Sequence, residues 1–314
     1  MWLYFDFFKM ILNYLILFIV VLISVAFMTL MEQKILASSQ IRVGPNFVGY
    51  WGVLQPFSDA CKLFSKEGLS LHSSNLVIYH LSPALSLGLV LVLWLVFPFF
   101  EGGLDLNYGL MFFICVSGLG VYPILSSGWA SNCKYSMLGS LRAVAQMISY
   151  EVSLLMILLS VVWLSGSFSI NVILSDQSMV YNGILLMPLC MIWFVSALAE
   201  TNRTPYDFAE GESELVSGFN TEYSAGGFTL IFMAEYGSIL FMGVLLSFLF
   251  LSGGANSWLV VFKGILVSFI FVWVRATLPR FRYDKLMSLA WKSFLFIVLA
   301  LYVFYLFIGM LVWF

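Results

Sequence analysis

The sequence predicts an all-α polytopic membrane protein. Of its 314 residues 62% are hydrophobic and only 10% charged, and the mean hydropathy is +1.01. A soluble domain carries about a quarter charged residues, and in water this chain would lack the polar side chains to cover its own surface. Runs of about 20 apolar residues, the length needed to cross roughly 30 Å of hydrocarbon, recur eight times. They fall at about 10–31, 76–98, 109–126, 143–165, 181–199, 226–251, 257–275 and 290–313. A single membrane domain over residues 1–314 is expected.

The first run is too long for a signal-peptide core, lacks a cleavage pattern and runs into Glu32 and Lys34. It reads as a retained anchor. Between the first two spans, Gly44-Pro45-Asn46 is a turn signal. Pro56 suits a first helical turn, and Phe57, Ala60, Cys61 and Phe64 recur at i, i+3, i+4, i+7, with Ser58, Asp59, Lys62 and Lys66 opposite. This predicts a short amphipathic helix lying in the interface plane rather than a packed loop. Pro83, Pro123 and Pro188 fall inside or near the ends of spans, where neighbouring helices satisfy freed carbonyls.

Eight spans place both termini on one side. Twelve of the 14 Lys and Arg residues then lie at the opposite loops, and only Lys9 and Lys263 lie on the terminal side. Lys and Arg accumulate on the cytoplasmic or matrix side, so the long loops are expected to face inward and the termini outward. The net charge of −2 offers no basic field for nucleic acid. Four scattered cysteines without C-x-x-C and two histidines suggest no iron–sulfur, zinc or paired-haem site. Neither G-x-G-x-x-G nor a P-loop occurs. Ordinary side chains are left to do the chemistry.

The loop after the fifth span carries most of it. Glu200, Asp207, Glu210, Glu212, Glu214 and Glu222 accompany a single cation, Arg203. Helical continuation would let Arg203 bridge Glu200 at i, i+3 and Asp207 at i, i+4, while Glu210 and Glu214 form a like-charged i, i+4 pair. A charge run is commonly a solvated loop. This one is interleaved with Phe208, Leu215, Val216 and Phe219 and bounded by two spans, which predicts a partly buried acidic cluster. Two more carboxylates lie within spans. Glu151 stands nine residues beyond Arg142, about 13 Å along a helix, and Glu235 is deep in the sixth run. An ionised acid at membrane depth costs about 2.5–3.5 kcal/mol and usually serves transport. The plainer alternative is a structural acid kept neutral by Tyr150 or Tyr236. Together the acids form the pattern a proton path needs. The last inner loop, Arg275 to Lys285, is basic and suits either anionic lipid or pairing with acids, those of the third loop or of a docked protein.

Three strings carry a resemblance: LRAVAQMISYEV at 141–152, AETNRTPYDFAEGESELVSGFN at 199–220 and RFRYD at 280–284. They resemble the family of chain 1 of NADH–ubiquinone oxidoreductase, a membrane subunit of respiratory complex I, over the whole chain and in a compact form similar to the mitochondrially encoded animal type. The resemblance implies a subunit at the heel of the membrane arm that lines the ubiquinone tunnel and links quinone chemistry to the pumping subunits. It implies a proton or charge relay through Glu151, Glu200, Asp207, Glu210, Glu212, Glu214, Glu222 and Glu235. It implies a tunnel bordered or supported by Arg42, Phe57, Asp59, Lys62, Arg203 and Phe228. Ubiquinone is then the substrate, with no flavin, iron–sulfur cluster or metal on this chain. The implied partners are hydrophilic quinone-site subunits, neighbouring membrane-arm subunits and phospholipid. The implied location is the mitochondrial inner membrane, with the long loops in the matrix and both termini in the intermembrane space. The chain departs from the family's usual Glu-Arg-Lys at Glu32-Gln33-Lys34, from Leu-Gly-Tyr at Leu36-Ala37-Ser38, and from a common Lys at Val43. The competing classes are a stand-alone proton-coupled cation transporter, disfavoured by the lack of an internal repeat, and a membrane anchor of a hydrogenase-type complex.

Overall fold

The computed structural model describes residues 2–69, 72–99, 102–209, 211, 216–253 and 257–313. Among them there is helix and no strand, as expected where no water is present to satisfy an exposed backbone. Seven helical segments are long and apolar enough to cross a membrane, and an eighth apolar helix is shorter. The face that bears the long loops is called inner below.

Helix α1 (Trp2–Ser39) is 38 residues long, about 57 Å at 1.5 Å per residue, and so outruns the hydrocarbon. The amphipathic helix appears as α2 (Gln55–Ser65) with Pro56 in its first turn. It packs against α1 and the sixth span. Its apolar residues Phe57 and Phe64 remain exposed, whereas Ser58 and Asp59 are half-buried. The helix and its periodicity are the expected ones, with Phe57, Cys61 and Phe64 on an exposed face.

The second span is α3 (Leu76–Leu93), with Pro83 inside it. The third reaches beyond its expected end and is broken at Gly120 into α4 (Gly109–Leu119) and α5 (Val121–Ala130). Pro123, three residues on, lacks the N–H that would carry the α4 ladder across the break. The fourth, α6 (Lys134–Ser165), begins well before its apolar run and ends on Gly166 in a left-handed conformation.

After the short α7 (Ile170–Asp176) comes the expected span 181–199, which is split. A single turn, α8 (Asn182–Leu185), stops at Leu186, and α9 (Met187–Glu200) restarts with Pro188 in its first turn. Proline suits that position, where the missing N–H would have no helical partner. At 14 residues, α9 is about 21 Å long, shorter than the run predicted. The sixth and seventh spans are α10 (Ala225–Phe250) and α11 (Ser257–Thr277). The last begins early as α12 (Tyr283–Leu289), passes through a π turn at Ala290–Phe294 and continues as α13 (Leu295–Trp313).

The core is organised around α10, in which every residue from Ile239 through Phe250 is buried. A Cβ on Gly243 would lie 2.9 Å from the Gly264 carbonyl oxygen, and one on Gly264 would lie 2.8 Å from Val244. Without those Cβ atoms the two backbones close, the usual packing device where lipid removes the hydrophobic drive between helices. The outer end of α10 is held by side chains. Gln177 Nε2 donates to the Phe248 and Leu249 carbonyls at 2.9 and 3.1 Å, and Lys263 Nζ donates to the Leu251 carbonyl at 2.7 Å. Helix-end carbonyls that bilayer burial would leave unsatisfied are thereby paired.

Candidate functional site

The inner ends of α6, α9 and α10 and the acidic loop form one polar assembly. Gln146, fully buried on α6, donates from Nε2 to the carbonyls of Ala199 and Tyr206 at 2.7 and 2.8 Å. One side chain thus fixes both the end of α9 and the loop that follows. The loop is not a solvated run: among its described residues Thr201, Pro205–Ala209, Gly211 and Gly218–Asn220 are all buried. Of the acids expected to form a partly buried cluster, Asp207 is buried. Glu210, Glu212 and Glu214 lie outside the described residues.

The pairing expected within the loop is corrected. Helix α9 stops at Glu200, and Thr201–Asp207 does not continue it. Pro205 can donate no helical hydrogen bond and biases Thr204 away from helix, so the i, i+3 and i, i+4 geometry never forms. Arg203 turns to the bundle instead. Its Nη1 lies 3.8 Å from Glu32 Oε1, and its guanidinium sits 4.3 Å from the centre of the Tyr236 ring. Glu32 is 5% exposed and also pairs with Arg275 of α11. Burial alone would weaken the Arg203 charge, but Tyr236, Glu32 and Glu235 around it raise its pKa above the ordinary value. It is held as a guanidinium.

Asp207 pairs with Arg280 from the last inner loop, Nη2 to Oδ2 at 3.0 Å. Beside that pair the Phe281 N–H donates to the Pro205 carbonyl at 3.1 Å, and Phe281 stacks on Tyr206 at 5.6 Å. Of the two roles open to the basic loop, pairing with the third loop is the one observed for Arg280. Glu222 takes part through its backbone: its carbonyl accepts from the Tyr79 hydroxyl at 2.7 Å, and Tyr79 stacks on Tyr223 at 4.4 Å. Burial pushes the Tyr223 phenol up to about 12, so near neutral pH it is a fixed hydrogen-bonding group rather than a proton carrier.

A cavity of about 120 Å³ lies between α3, α4, α5, α6, α9 and α10. Glu200 and Glu235 both line it, with the hydroxyls of Ser82, Ser86, Ser117 and Ser238. Glu200 Oε2 and Asn202 Oδ1 are buried there without a hydrogen-bond partner among the described residues. A cavity of this size has room for several waters, and orphaned polar atoms are what such waters satisfy. Glu151 stands beside it on α6. Its Oε1 approaches Gly118 so closely that a Cβ there would lie 2.8 Å away, and its charge acts on Glu200. Tyr150 is turned from the acids, toward Tyr206 and Phe294.

The residues assigned to the quinone tunnel lie apart from this cavity. Phe57 of α2 meets Phe27 of α1 edge-on at 6.1 Å, and Phe228 contacts Phe232 at 4.3 Å in the first turns of α10. Asp59 accepts from Gln55 Nε2 at 2.9 Å, while Arg42 is exposed with its Nε on Gln40, and Lys62 is exposed. Arg203 belongs to the buried network with Glu32. Sequence reasoning missed Glu32, Tyr236, Arg275 and Gln146 as members of the site. For Glu32 a signal was present, since an acid directly at the end of an apolar run needs a partner.

The comparisons with known proteins accord with this architecture. A family model described as NADH dehydrogenase matches residues 12–306. A protein of Locusta migratoria named NADH-ubiquinone oxidoreductase chain 1 is 54% identical over 99% of this chain and 98% of its own length. One of the same name from Aedes aegypti is 53% identical over 92% and 93%. Another from the marsupial Sminthopsis macroura is 49% identical over 94% and 95%. With the family model spanning nearly the whole chain and relatives at about half identity along their full length, the chain belongs to the NADH dehydrogenase family as a membrane subunit of complex I.

Proposed function

We propose that this subunit lines the ubiquinone path of complex I and carries the charge that couples quinone reduction to proton translocation. The observation that carries the reading is the serine-lined cavity shared by Glu200 and Glu235, with Glu151 in electrostatic reach. Carboxyls that exchange protons through a few waters form a relay without any redox centre on the chain. The fixed charges at its inner end are Arg203, Glu32 and Arg275 on one side and the Asp207–Arg280 pair on the other. A charge arriving with quinone reduction alters the field on this network, and protons redistribute between Glu200, Glu151 and Glu235 in response. Helix α2 against α1 and α10, with Phe57 and Phe228, frames the quinone path, supported by Arg42, Asp59, Lys62 and Arg203. Asp207, Glu210, Glu212, Glu214 and Glu222 complete the set of relay acids that the family resemblance implies. The setting is the mitochondrial inner membrane, with the long loops in the matrix.

The test separates coupling from electron input. In the assembled complex, Glu151→Gln keeps size and hydrogen bonding but removes the exchangeable proton. Coupled NADH:ubiquinone turnover and pumping should fall by on the order of 10²-fold, the low end for a positioned proton-transfer group. NADH oxidation by an artificial acceptor should be unchanged. Normal quinone reduction with normal pumping in that variant would refute the relay.

A further inference from the structure

The exposed side of the α1–α11 junction holds a groove of about 440 Å³ that the acid path does not use. Its walls are Lys34, Ile35, Ser38 and Ser39 of α1 and Phe269 and Trp273 of α11. The two helices are tied at this level by the Glu32–Arg275 ion pair. Residues two apart on a helix stand about 200° apart, so the buried Glu32 puts Lys34 on the far side of α1, and Arg275 does the same for Trp273 on α11. Trp273 is 57% and Phe269 40% exposed.

The cation in this groove is held in place. Lys34 Nζ donates to the Trp51 carbonyl at 2.7 Å, and Gly44 packs on the lysine stem, where a Cβ would lie 3.2 Å from Cγ. An ammonium carries three protons, and among the described residues neither Lys34 nor the nearby Arg42 is paired with an acid. The groove therefore offers uncompensated positive charge beside bare aromatic surface where the helices leave the hydrocarbon. A small free anion has no use for Phe269 and Trp273, and an uncharged tail has no use for Lys34. A phospholipid with a net negative head group uses both.

We propose that this groove binds an anionic phospholipid of the inner leaflet, its phosphate at Lys34 and its glycerol and upper acyl chain against Phe269 and Trp273. The hydroxyls of Ser38 and Ser39 stand at the head-group end. The site stands whether or not the acids relay protons, and its test is read on the assembled complex independently of turnover.

The experiment is photolabelling of the intact complex with two lipids carrying the same diazirine near the glycerol, a phosphatidylglycerol and a phosphatidylcholine, followed by peptide mapping. The anionic probe should label residues 34–39 and 269–273 about fivefold more than the zwitterionic one, the factor one lysine contributes near anionic lipid. Lys34→Gln should bring the anionic probe down to the zwitterionic level, and Lys34→Arg should retain the preference. Equal labelling by both probes in the unaltered complex, which needs no variant to assemble, would overturn the site. So would a preference that survives Lys34→Gln, competition by inorganic phosphate alone, or displacement of both probes by excess short-chain ubiquinone.

Discussion

Arg203 is the residue on which the inner network turns. Its side chain is 11% exposed, and it stands between Glu32, Tyr236 and Glu235. Removing one partner of a buried ion pair leaves the other charge uncompensated, at about 3–5 kcal/mol. Arg203→Leu should therefore sharply lower the amount of assembled complex on native gels, and Arg203→Lys should restore part of it. Glu32 keeps Arg275 when Arg203 is lost, so combining Arg203→Leu with Arg275→Leu should cost more assembly than either change alone. A double variant no worse than Arg203→Leu alone would contradict the shared pairing. Local spacing could not reveal this contact. It placed Arg203 opposite Glu200 and Asp207 on a helix that Pro205 does not permit, whereas the true partners lie on α1 and α10. The presence of a lone cation in an acidic loop was legible, but its address depends on tertiary packing.

At the scale of elements, composition was enough to find the spans, because a run of apolar residues has only one way to satisfy its backbone in lipid. Their ends were less legible. Helices α1 and α6 continue into polar sequence because tertiary contacts, not hydropathy, decide where they stop. Pro188 was visible within the fifth run, yet only the structure distinguishes a kink from a restart. Helix α10 gives two predictions. Gly243→Leu drives a side chain into the Gly264 backbone, and overpacking of this kind costs about 1–3 kcal/mol. The complex should dissociate at lower temperature on thermal native gels, while Gly226→Ala, where nothing lies within 4 Å, should leave it unchanged. Gln177→Leu strands the Phe248 and Leu249 carbonyls at about 1–3 kcal/mol, and the same assay should show a comparable loss. Unchanged thermal stability in both variants would mean that α10 is held by other contacts.

At the scale of the molecule, the charged and acidic groups fall into two sets. One is a layer of ion pairs (Glu32 with Arg203 and Arg275, Asp207 with Arg280), and the other is a cavity lined by Glu200, Glu235 and several serines. Glu151, Glu200 and Glu235 stood out in the sequence as carboxyls beside or within apolar runs. That Glu200 and Glu235 share one cavity with Glu151 beside it was not legible, because the arrangement comes from three helices whose mutual packing no local pattern encodes. If the acids act through that cavity, they form one path and not several. The measurement that tests this most directly is the number of protons pumped per NADH in proteoliposomes containing Glu200→Gln, Glu235→Gln or both. A single path predicts that each change lowers pumping and that the double variant pumps no less than the worse single one. Losses that multiply, or single variants that pump normally, would contradict a shared relay.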